Sequence, residues 1–428
     1  MTTGILALII LGAILTQVGL VVLIGFVRQR HQYLELEKRQ NRLQSIDDIN
    51  DFTRRLDTHP NQVDSTWQGF KAFKVKRRVY EDKNHSICSF YLVPMDQVAL
   101  PPFKPGQFLT FKLSMEDAGT GESKSLIRCY SLSDRPYADH YRISVKRVPA
   151  PDDQQDAPPG QASNFLHDQV QEGDQLMVKA PSGHFHLVEE PLLPLVLIAG
   201  GIGITPMLSM LNTLLESGVE REVWLFYGVR NSSELIMKAD LKKQAEMYQH
   251  FHLHLCYSRP DEQDVMGIDY QHAGRVDVPL LRETLKLGRY QFYVCGPKAM
   301  MESIVPGLET LGVDAGDIHY ESFGPASLLK NEKPKSGTTD AQVEAMNVNF
   351  TESGKRVEWD PNASSLLTFA ETQGIEVESG CRAGSCGSCQ TAIESGEVEY
   401  SQEPDADIEP DHCLLCIAIP KGDLKLAL

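Results

Sequence analysis

The chain has 428 residues with 41 Lys and Arg, 58 Asp and Glu and a formal net charge of −17. This length allows two to four domains, and the acidic balance argues against a nucleic-acid-binding protein, which needs a basic face to neutralise phosphates. A hydrophobic fraction of 42% excludes a wholly disordered chain. Of the nine Cys residues, five fall between Cys381 and Cys416, which favours a metal site in a reducing compartment over a disulfide scaffold.

The N-terminal segment, residues 1–27, has no charged side chain and is apolar from Ile5 to Val27. A helix of this length crosses a bilayer core of about 30 Å. A cleaved signal peptide would need basic residues before a shorter apolar core, so we predict a transmembrane anchor. Five Lys and Arg residues lie between Arg28 and Arg42. By the positive-inside rule they predict a single-pass protein of a cell inner membrane with its remaining domains in the cytoplasm.

The rest of the chain divides into segments of different pattern. Residues 28–65 are polar with apolar residues at roughly helical spacing, which predicts either a juxtamembrane stalk or a dimerising helix and leaves the oligomeric state open. Short β-rich runs between turn residues predict an antiparallel β-barrel over 66–190. Strands alternate with helices over 191–325, which predicts a parallel α/β sheet. A polar linker, 326–345, precedes a last small unit, 346–428.

The last unit is strongly acidic. Between Ala341 and Leu428 there are 16 Asp and Glu residues against 5 Lys and Arg. Such a surface is either simply solvated or steers a basic partner, and the sequence leaves both interpretations open.

The strongest motif is Cys381-x4-Cys386-x2-Cys389, the spacing of plant-type 2Fe–2S clusters with a distant fourth Cys. Glycines in this loop let backbone N–H groups face the sulfurs, whereas a zinc site would more naturally use two C-x2-C pairs. The fourth ligand is Cys413 or Cys416. The segment resembles plant-type ferredoxin domains, whose last ligand has the setting of Cys416. The resemblance implies an α+β β-grasp fold with Cys416 as the ligand and Cys413 as a packing thiol.

The second motif is the run "RCYS" at 128–131, about 30 residues before "GQASN" at 160–164. Arg can neutralise a pyrophosphate, Tyr can stack on a flat ring and Ser can hydrogen-bond a ring atom. In this context, residues 67–325 resemble the ferredoxin–NADP reductase superfamily. The resemblance implies a flavin site, with FAD favoured over FMN. It assigns to this site Arg128, Tyr130, Ser131, Val145, Lys146, Gly160, Ser163 and Asn164.

The third motif is a Gly-rich turn between an apolar strand and a helix, where backbone N–H groups and the helix dipole favour a pyrophosphate. By the same resemblance this turn and the run at 295–297 bind NADH or NADPH. The residues are Gly200, Gly201, Gly203, Thr205, Pro206, Cys295, Gly296 and Pro297. Arg230, Ser258 and Arg259 are candidates for the adenosine end. They could hold a 2′-phosphate, although an Arg can also stack on adenine, and the absence of a further basic cluster in the sequence favours NADH.

The same resemblance implies a catalytic set of Ser131, Thr205, Cys295, Glu321 and Phe323. Thr205 and Cys295 would flank the nicotinamide ring, and Glu321 would assist hydride geometry. Phe323 would cover the flavin until nicotinamide displaces it; otherwise it is a core aromatic that ends a strand.

The domain order resembles reductase components of multicomponent oxygenases and the reductase that serves hybrid-cluster protein. It predicts an NAD(P)H oxidoreductase that passes electrons through FAD and 2Fe–2S to an acceptor protein, such as a membrane oxygenase, hydroxylase or desaturase. One alternative is an NADH:quinone-type respiratory subunit, although in the flavin subunit of sodium-pumping NADH:quinone reductase the ferredoxin domain comes first. A second alternative is a membrane-tethered, non-catalytic redox sensor.

Overall fold

A computed structural model describes residues 67–116, 123–150, 159–188, 192–323, 346–382, 384, 386–401, 404, 406 and 408–428. The predicted anchor (1–27), stalk (28–65) and linker (326–345) lie outside these residues. Within the described parts of the chain, no helix is both long and apolar enough to span a bilayer. All described residues except Leu214–Val219 belong to one compact unit.

The first module is a six-stranded antiparallel sheet. Its strands are β1 (Lys71–Tyr80), β2 (Ile87–Pro94), β3 (Phe108–Glu116), β4 (Ser123–Ser131), β5 (Tyr141–Lys146) and β6 (Gln175–Val178). They lie in the order β4-β3-β6-β1-β2-β5. The two edge strands meet where Leu132, directly after β4, forms an antiparallel bridge with Ile143 of β5. The sheet therefore curls back on itself, as the predicted barrel requires.

The barrel core follows the two-residue period of its strands. In β1, Phe73 and Val75 are fully buried while Lys74 between them is exposed. Helix α1 (Gln161–Asp168) adds Ala162 and Leu166 to the same core. Burial of one Leu side chain stabilises the fold by about 1.5–3 kcal/mol, so α1 is fixed to the barrel by its apolar face.

The second module is a six-stranded parallel sheet. Its strands are β7 (Leu195–Gly200), β8 (Val223–Val229), β9 (Phe251–Tyr257), β10 (His272–Ala273), β11 (Gln291–Cys295) and β12 (Ile318–Glu321). The helices are α2 (Ile204–Ser217), α3 (Lys238–Met247), α4 (Val278–Thr284) and α5 (Lys298–Thr310), with 3-10 turns at Gly201–Gly203 and Ala315–Asp317. The order β10-β9-β8-β7-β11-β12 reverses between β7 and β11. Such a reversal opens a crevice at the carboxyl ends of the strands, where α/β sheets bind ligands.

The third module is a mixed sheet with one helix. Five strands pair in the order β14-β13-β19-β15-β17, with only β13 and β19 parallel, and β16 pairs with β18. Their bounds are β13 (Asn347–Phe350), β14 (Lys355–Glu358), β15 (Gln390–Ser395), β16 (Val398–Tyr400), β17 (His412–Leu414), β18 (Ala418–Pro420) and β19 (Leu424–Leu426). Helix α6 (Leu366–Thr372) begins at Ser365, whose side chain accepts a hydrogen bond from the Thr368 N–H. The predicted α+β architecture is present.

Candidate redox centres and their binding residues

The described residues 380–382, 384 and 386–389, here called the cluster loop, surround the predicted ligand sulfurs. The backbone N–H of Cys381 donates to Cys386 Sγ at 3.2 Å, and the N–H of Cys386 donates to Cys381 Sγ at 3.3 Å. The N–H of Gly384 donates to Cys416 Sγ at 3.3 Å. Gly384 has φ +78°, in the left-handed region that favours glycine, so the glycine permits the turn that aims this N–H at the sulfur.

The four predicted ligands form two pairs. The Cys386 side chain interacts with Cys381, and the Cys389 side chain interacts with Cys416. Hydrogen bonds from Cys129 and Cys381 hold the pKa of Cys386 well below its ordinary value, and a hydrogen bond from Cys416 lowers the pKa of Cys389. In the described residues, no three His, Cys, Asp or Glu side chains converge on one point as ligands of a single metal ion do. Two thiol pairs with backbone donors match the donor set of a two-iron cluster.

Cys413 has a different setting from Cys416. It lies in β17, pairs with Thr391 of β15, and is fully buried in the hydrophobic core of the third module. Burial raises the pKa of Cys413 to about 12. Cys413 therefore packs as an apolar side chain, whereas Cys416 receives a backbone hydrogen bond from the cluster loop.

Three of the five predicted catalytic residues come together at the crevice of the parallel sheet. Cys295, at the end of β11, lies opposite Glu321, at the end of β12. Ser131, the last residue of β4, hydrogen-bonds the Glu321 carboxyl group. Burial raises the pKa of Glu321 to about 8, and the Ser131 hydrogen bond partly offsets this shift. The Oε2 atom of Glu321 is buried and has no hydrogen-bond partner among the described residues, so it is a candidate contact for a bound ring.

The other two predicted catalytic residues, Thr205 and Phe323, differ in burial. Thr205 is buried, and its hydroxyl donates to the Ile202 carbonyl at 3.0 Å, within its own helical turn. Phe323 follows β12 and is 45% exposed, so the core alternative does not describe it. Its role as a flavin cover stays a prediction.

The nucleotide turn, residues 200–206, packs against the run at 295–297. A Cβ on Gly203 would lie 2.2 Å from the Cys295 carbonyl oxygen, and one on Gly200 would lie 2.7 Å from Pro297 Cδ. Gly201 has φ +54°, and a Cβ there would meet open space among the described residues. The turn is thus closed toward the protein and open at Gly201, a geometry that lets a pyrophosphate approach the backbone.

The predicted adenosine residues share one edge of the sheet. The Ser258 N–H donates to the Val229 carbonyl at 3.0 Å and the Arg259 N–H donates to the Arg230 carbonyl at 2.8 Å, so the two loops run side by side. Both arginine side chains are exposed. Arg230 Nε lies 3.7 Å from Glu234 Oε1. The preference for NADH over NADPH stays a prediction.

The residues predicted to lie near the flavin phosphates are bound mainly to one another. Asn164 Nδ2 donates to the carbonyls of Gly160, at 2.8 Å, and Val148, at 2.9 Å. Ser163 Oγ donates to the Gly160 carbonyl at 3.1 Å and accepts from the Val148 N–H at 3.2 Å. Arg147, which the sequence did not single out, donates to Asn164 Oδ1 at 2.9 Å. These bonds fix the start of α1 rather than expose the side chains.

Four further residues predicted for the flavin site differ in exposure. The Val145 side chain lies in the barrel core, so only its backbone could contact a ring outside that core. Lys146, its neighbour in β5, points the other way, with Nζ 3.9 Å from Glu234. Arg128 is exposed, as a phosphate-binding Arg must be. Tyr130 is half-buried against the barrel core.

Two residues that the sequence did not identify link the barrel to the cluster loop. Cys129, inside the "RCYS" run, interacts with the Cys386 side chain. Lys179, just after β6, donates from Nζ to the Cys386 carbonyl at 3.0 Å. More than 200 residues separate each from Cys386 along the sequence, so no local pattern could reveal the contacts. The Cys386 end of the cluster loop is therefore held against the barrel.

Three family models match the chain. An oxidoreductase FAD-binding domain covers residues 73–187, an oxidoreductase NAD-binding domain covers 197–305, and a 2Fe-2S iron-sulfur cluster binding domain covers 348–421. The predictions of FAD, NAD(P)H and 2Fe–2S cofactors are confirmed. A flavohemoprotein of Bacillus cereus is 41% identical over 264 residues, which are 62% of this chain and 63% of that protein. The chain thus spans less than two thirds of the length of this relative.

Two solved structures are similar. The flavohem-like FAD/NAD-binding domain of nitric oxide dioxygenase from Vibrio cholerae is 32% identical, and the match covers 60% of this chain and 100% of that one with a TM-score of 0.51. Phthalate dioxygenase reductase, described as a modular structure for electron transfer from pyridine nucleotides to 2Fe–2S, is 27% identical. That match covers 84% of this chain and 98% of the other, with a TM-score of 0.50.

Proposed function

Because the chain belongs to the ferredoxin–NADP reductase superfamily and is an NAD(P)H oxidoreductase with a C-terminal 2Fe–2S domain, we propose that it is a membrane-anchored reductase that delivers single electrons to an acceptor protein. When bound, FAD takes a hydride from NAD(P)H and the cluster carries one electron at a time. The chain supplies position, charge and exclusion of water.

One observation carries the proposal: strand β4 contacts residues of both candidate redox sites. Its last residue, Ser131, hydrogen-bonds Glu321 at the nucleotide crevice, and Cys129 interacts with the cluster ligand Cys386. Residues two apart on a strand are separated by about 7 Å and point to the same side. Because both residues lie on one strand, a bound flavin and a bound cluster would be held close enough for direct electron transfer.

The crevice residues have distinct tasks. Gly203 permits the nucleotide turn to lie against Cys295, which fixes the floor of the nicotinamide site. Glu321, with its pKa raised to about 8, keeps a proton at neutral pH and can donate a hydrogen bond without placing a buried charge there. Ser131 orients that carboxyl group. Together these residues hold the two rings of a hydride transfer in contact.

The acceptor is proposed to lie in or on the inner membrane, on its cytoplasmic side, with an oxygenase, hydroxylase or desaturase as the candidate classes. The support is the apolar run from Ile5 to Val27 and the basic residues after it. The acidic last domain would attract a basic surface on that partner.

The test is anaerobic purification from detergent-solubilised membranes, followed by reduction with NADH and with NADPH. We expect flavin and 2Fe–2S absorbance, nucleotide-dependent reduction of ferricyanide and cytochrome c, and an EPR signal from the reduced cluster. A non-catalytic redox sensor would show little turnover. A colourless protein without flavin, iron and sulfide would refute the redox function. If a chain lacking residues 1–27 served the native acceptor equally well in reconstituted vesicles, the anchor proposal would be wrong.

A second candidate acceptor is a haem protein. The observation that favours it is the 41% identity to a flavohemoprotein over 264 residues. A protein that co-purifies with the reductase and shows a haem absorbance band reduced by NADH would support this candidate. A co-purifying non-haem membrane protein that accepts the electrons would support the first.

A further inference from the structure

Cys129 lies in the flavin motif but its side chain serves another contact. Successive side chains of a strand point to opposite faces, so Ile127 and Cys129 share one face of β4. A Cβ on Gly380, at the start of the cluster loop, would lie 2.9 Å from Ile127 Cγ2 and 2.9 Å from Cys386 Sγ. Cys129 interacts directly with Cys386. This face of β4 therefore packs against the cluster loop.

Residues in β3 and directly after β6 pack beside this contact. Thr110 of β3 pairs with Cys129, is fully buried, and places its hydroxyl 3.4 Å from Cys129 Sγ. Its carbonyl accepts from the Lys179 N–H at 2.8 Å, and Lys179 Nζ donates to the Cys386 carbonyl at 3.0 Å. Cys386 is thus contacted by Cys129 of β4 and by Lys179 after β6, and Thr110 of β3 contacts both of these residues.

The direction of the hydrogen bonds follows from the chemistry of the groups. A cluster-bound Cys386 is a thiolate, which has no proton and can only accept. The Cys129 thiol must then donate to it. Because a thiol has one proton, the Thr110 hydroxyl donates in turn to Cys129. The result is a chain from the Thr110 O–H through the Cys129 S–H to the sulfur of Cys386, in which each bond polarises the next.

We propose that Cys129 is a positioning residue that donates an S–H···S hydrogen bond to the cluster ligand Cys386 and raises the reduction potential of the bound cluster. Reduction adds negative charge to the ligand sulfurs, and a donor stabilises that charge more than it stabilises the oxidised cluster. Electron transfer from flavin to cluster becomes more favourable. This inference rests on the proposed function, since it concerns the same electron path.

The test is an anaerobic redox titration of the purified holoprotein, with the reduced cluster followed by EPR. Cys129→Ala removes the donor, and we expect about a tenfold smaller equilibrium constant for one-electron reduction, a downward shift of ~59 mV. Cys129→Ser keeps a donor and should remain closer to wild type. Thr110→Val, which removes only the second donor, should shift the potential in the same direction by less.

The matched control is Cys88→Ala. Cys88 is a buried thiol of the same barrel whose sulfur lies 3.8 Å from the Ser89 carbonyl, and we expect its loss to leave the potential unchanged. Cys129→Val fills the space without a donor and replaces the Ala variant if that variant loses its cluster. A wild-type potential in Cys129→Ala or Cys129→Val, at full iron and flavin content, would overturn the inference. Failure of NADH or NADPH to reduce the wild-type cluster would instead refute the proposed function.

Discussion

The nucleotide turn and the cluster loop are both rich in glycine, but for different physical reasons. Gly203 is required because a Cβ would lie 2.2 Å from the Cys295 carbonyl oxygen, where backbone meets backbone. Gly384 is required because its φ is +78°, and the nearest atom to an added Cβ is Ile417 Cδ1, the end of a flexible side chain. Gly203 lets the nucleotide turn pack against the end of β11, whereas Gly384 shapes a local turn. The nucleotide turn therefore depends on tertiary packing, and the cluster loop depends on backbone conformation and its metal.

The largest expected effect is loss of the cluster itself. Cys416→Ser removes the sulfur that accepts from the Gly384 N–H, and we expect the visible 2Fe–2S absorbance and iron content to disappear. Cys413→Ser is the matched control, because Cys413 packs in the core of the same domain and should keep its cluster. The reverse pattern, with the cluster lost only in Cys413→Ser, would exchange the two assignments.

The next largest expected effect concerns the nucleotide turn. Gly203→Ala forces the nucleotide turn away from the end of β11, and we expect a loss of about 1–3 kcal/mol in the free energy of unfolding together with a raised KM for NADH. Gly201→Ala is the control for stability alone, because Gly201 has φ +54° but faces open space among the described residues, so the substitution adds conformational strain to the fold and no clash. Urea unfolding measures the free energy of unfolding of both variants. Equal stability of the two variants would show that the close approach at Gly203 relaxes without cost.

Gly384→Ala tests whether the cluster loop depends on the left-handed backbone conformation of this glycine. The residue adopts φ +78°, so Ala should cost about 1–2 kcal/mol locally and should speed loss of iron to a chelator. Gly422 is the matched control in the same domain. A Cβ added there would have no atom of the described residues within 4 Å, so Gly422→Ala should leave iron release unchanged. Equal iron release from both variants would argue that the left-handed turn does not support the cluster.

The sequence was sufficient where a signal is local or strongly periodic. The alternating strands of the barrel, the apolar run Leu195–Gly200 and the Cys381-to-Cys389 spacing each depend on neighbouring residues, and the structure has all three. The contacts of Cys129 and Lys179 with Cys386 depend on the packing of one module against another, which no local pattern reveals. The family resemblance also placed Val145 beside a ring, although the two-residue period of β5 turns that side chain into the core.

The last expected effect concerns the pH dependence of stability at the nucleotide crevice. The pKa of Glu321 is raised from 4.5 to about 8, so between these pH values the folded chain holds a proton that the unfolded chain has lost. Stability from this group is fully present below pH 4.5 and is lost as the pH rises toward 8. Glu321→Gln cannot titrate, so its melting temperature should fall less than that of wild type across this window.

Ser131→Ala provides the opposite change. The Ser131 hydrogen bond lowers the pKa of Glu321, so its removal should raise that pKa further and extend the decline in stability to higher pH. Thermal unfolding of the three proteins across the window measures the effect. Parallel pH profiles for wild type and Glu321→Gln would mean that the carboxyl group is not buried as the crevice geometry requires. The test concerns the nucleotide region alone, because Glu321 lies beside Cys295 in the parallel sheet.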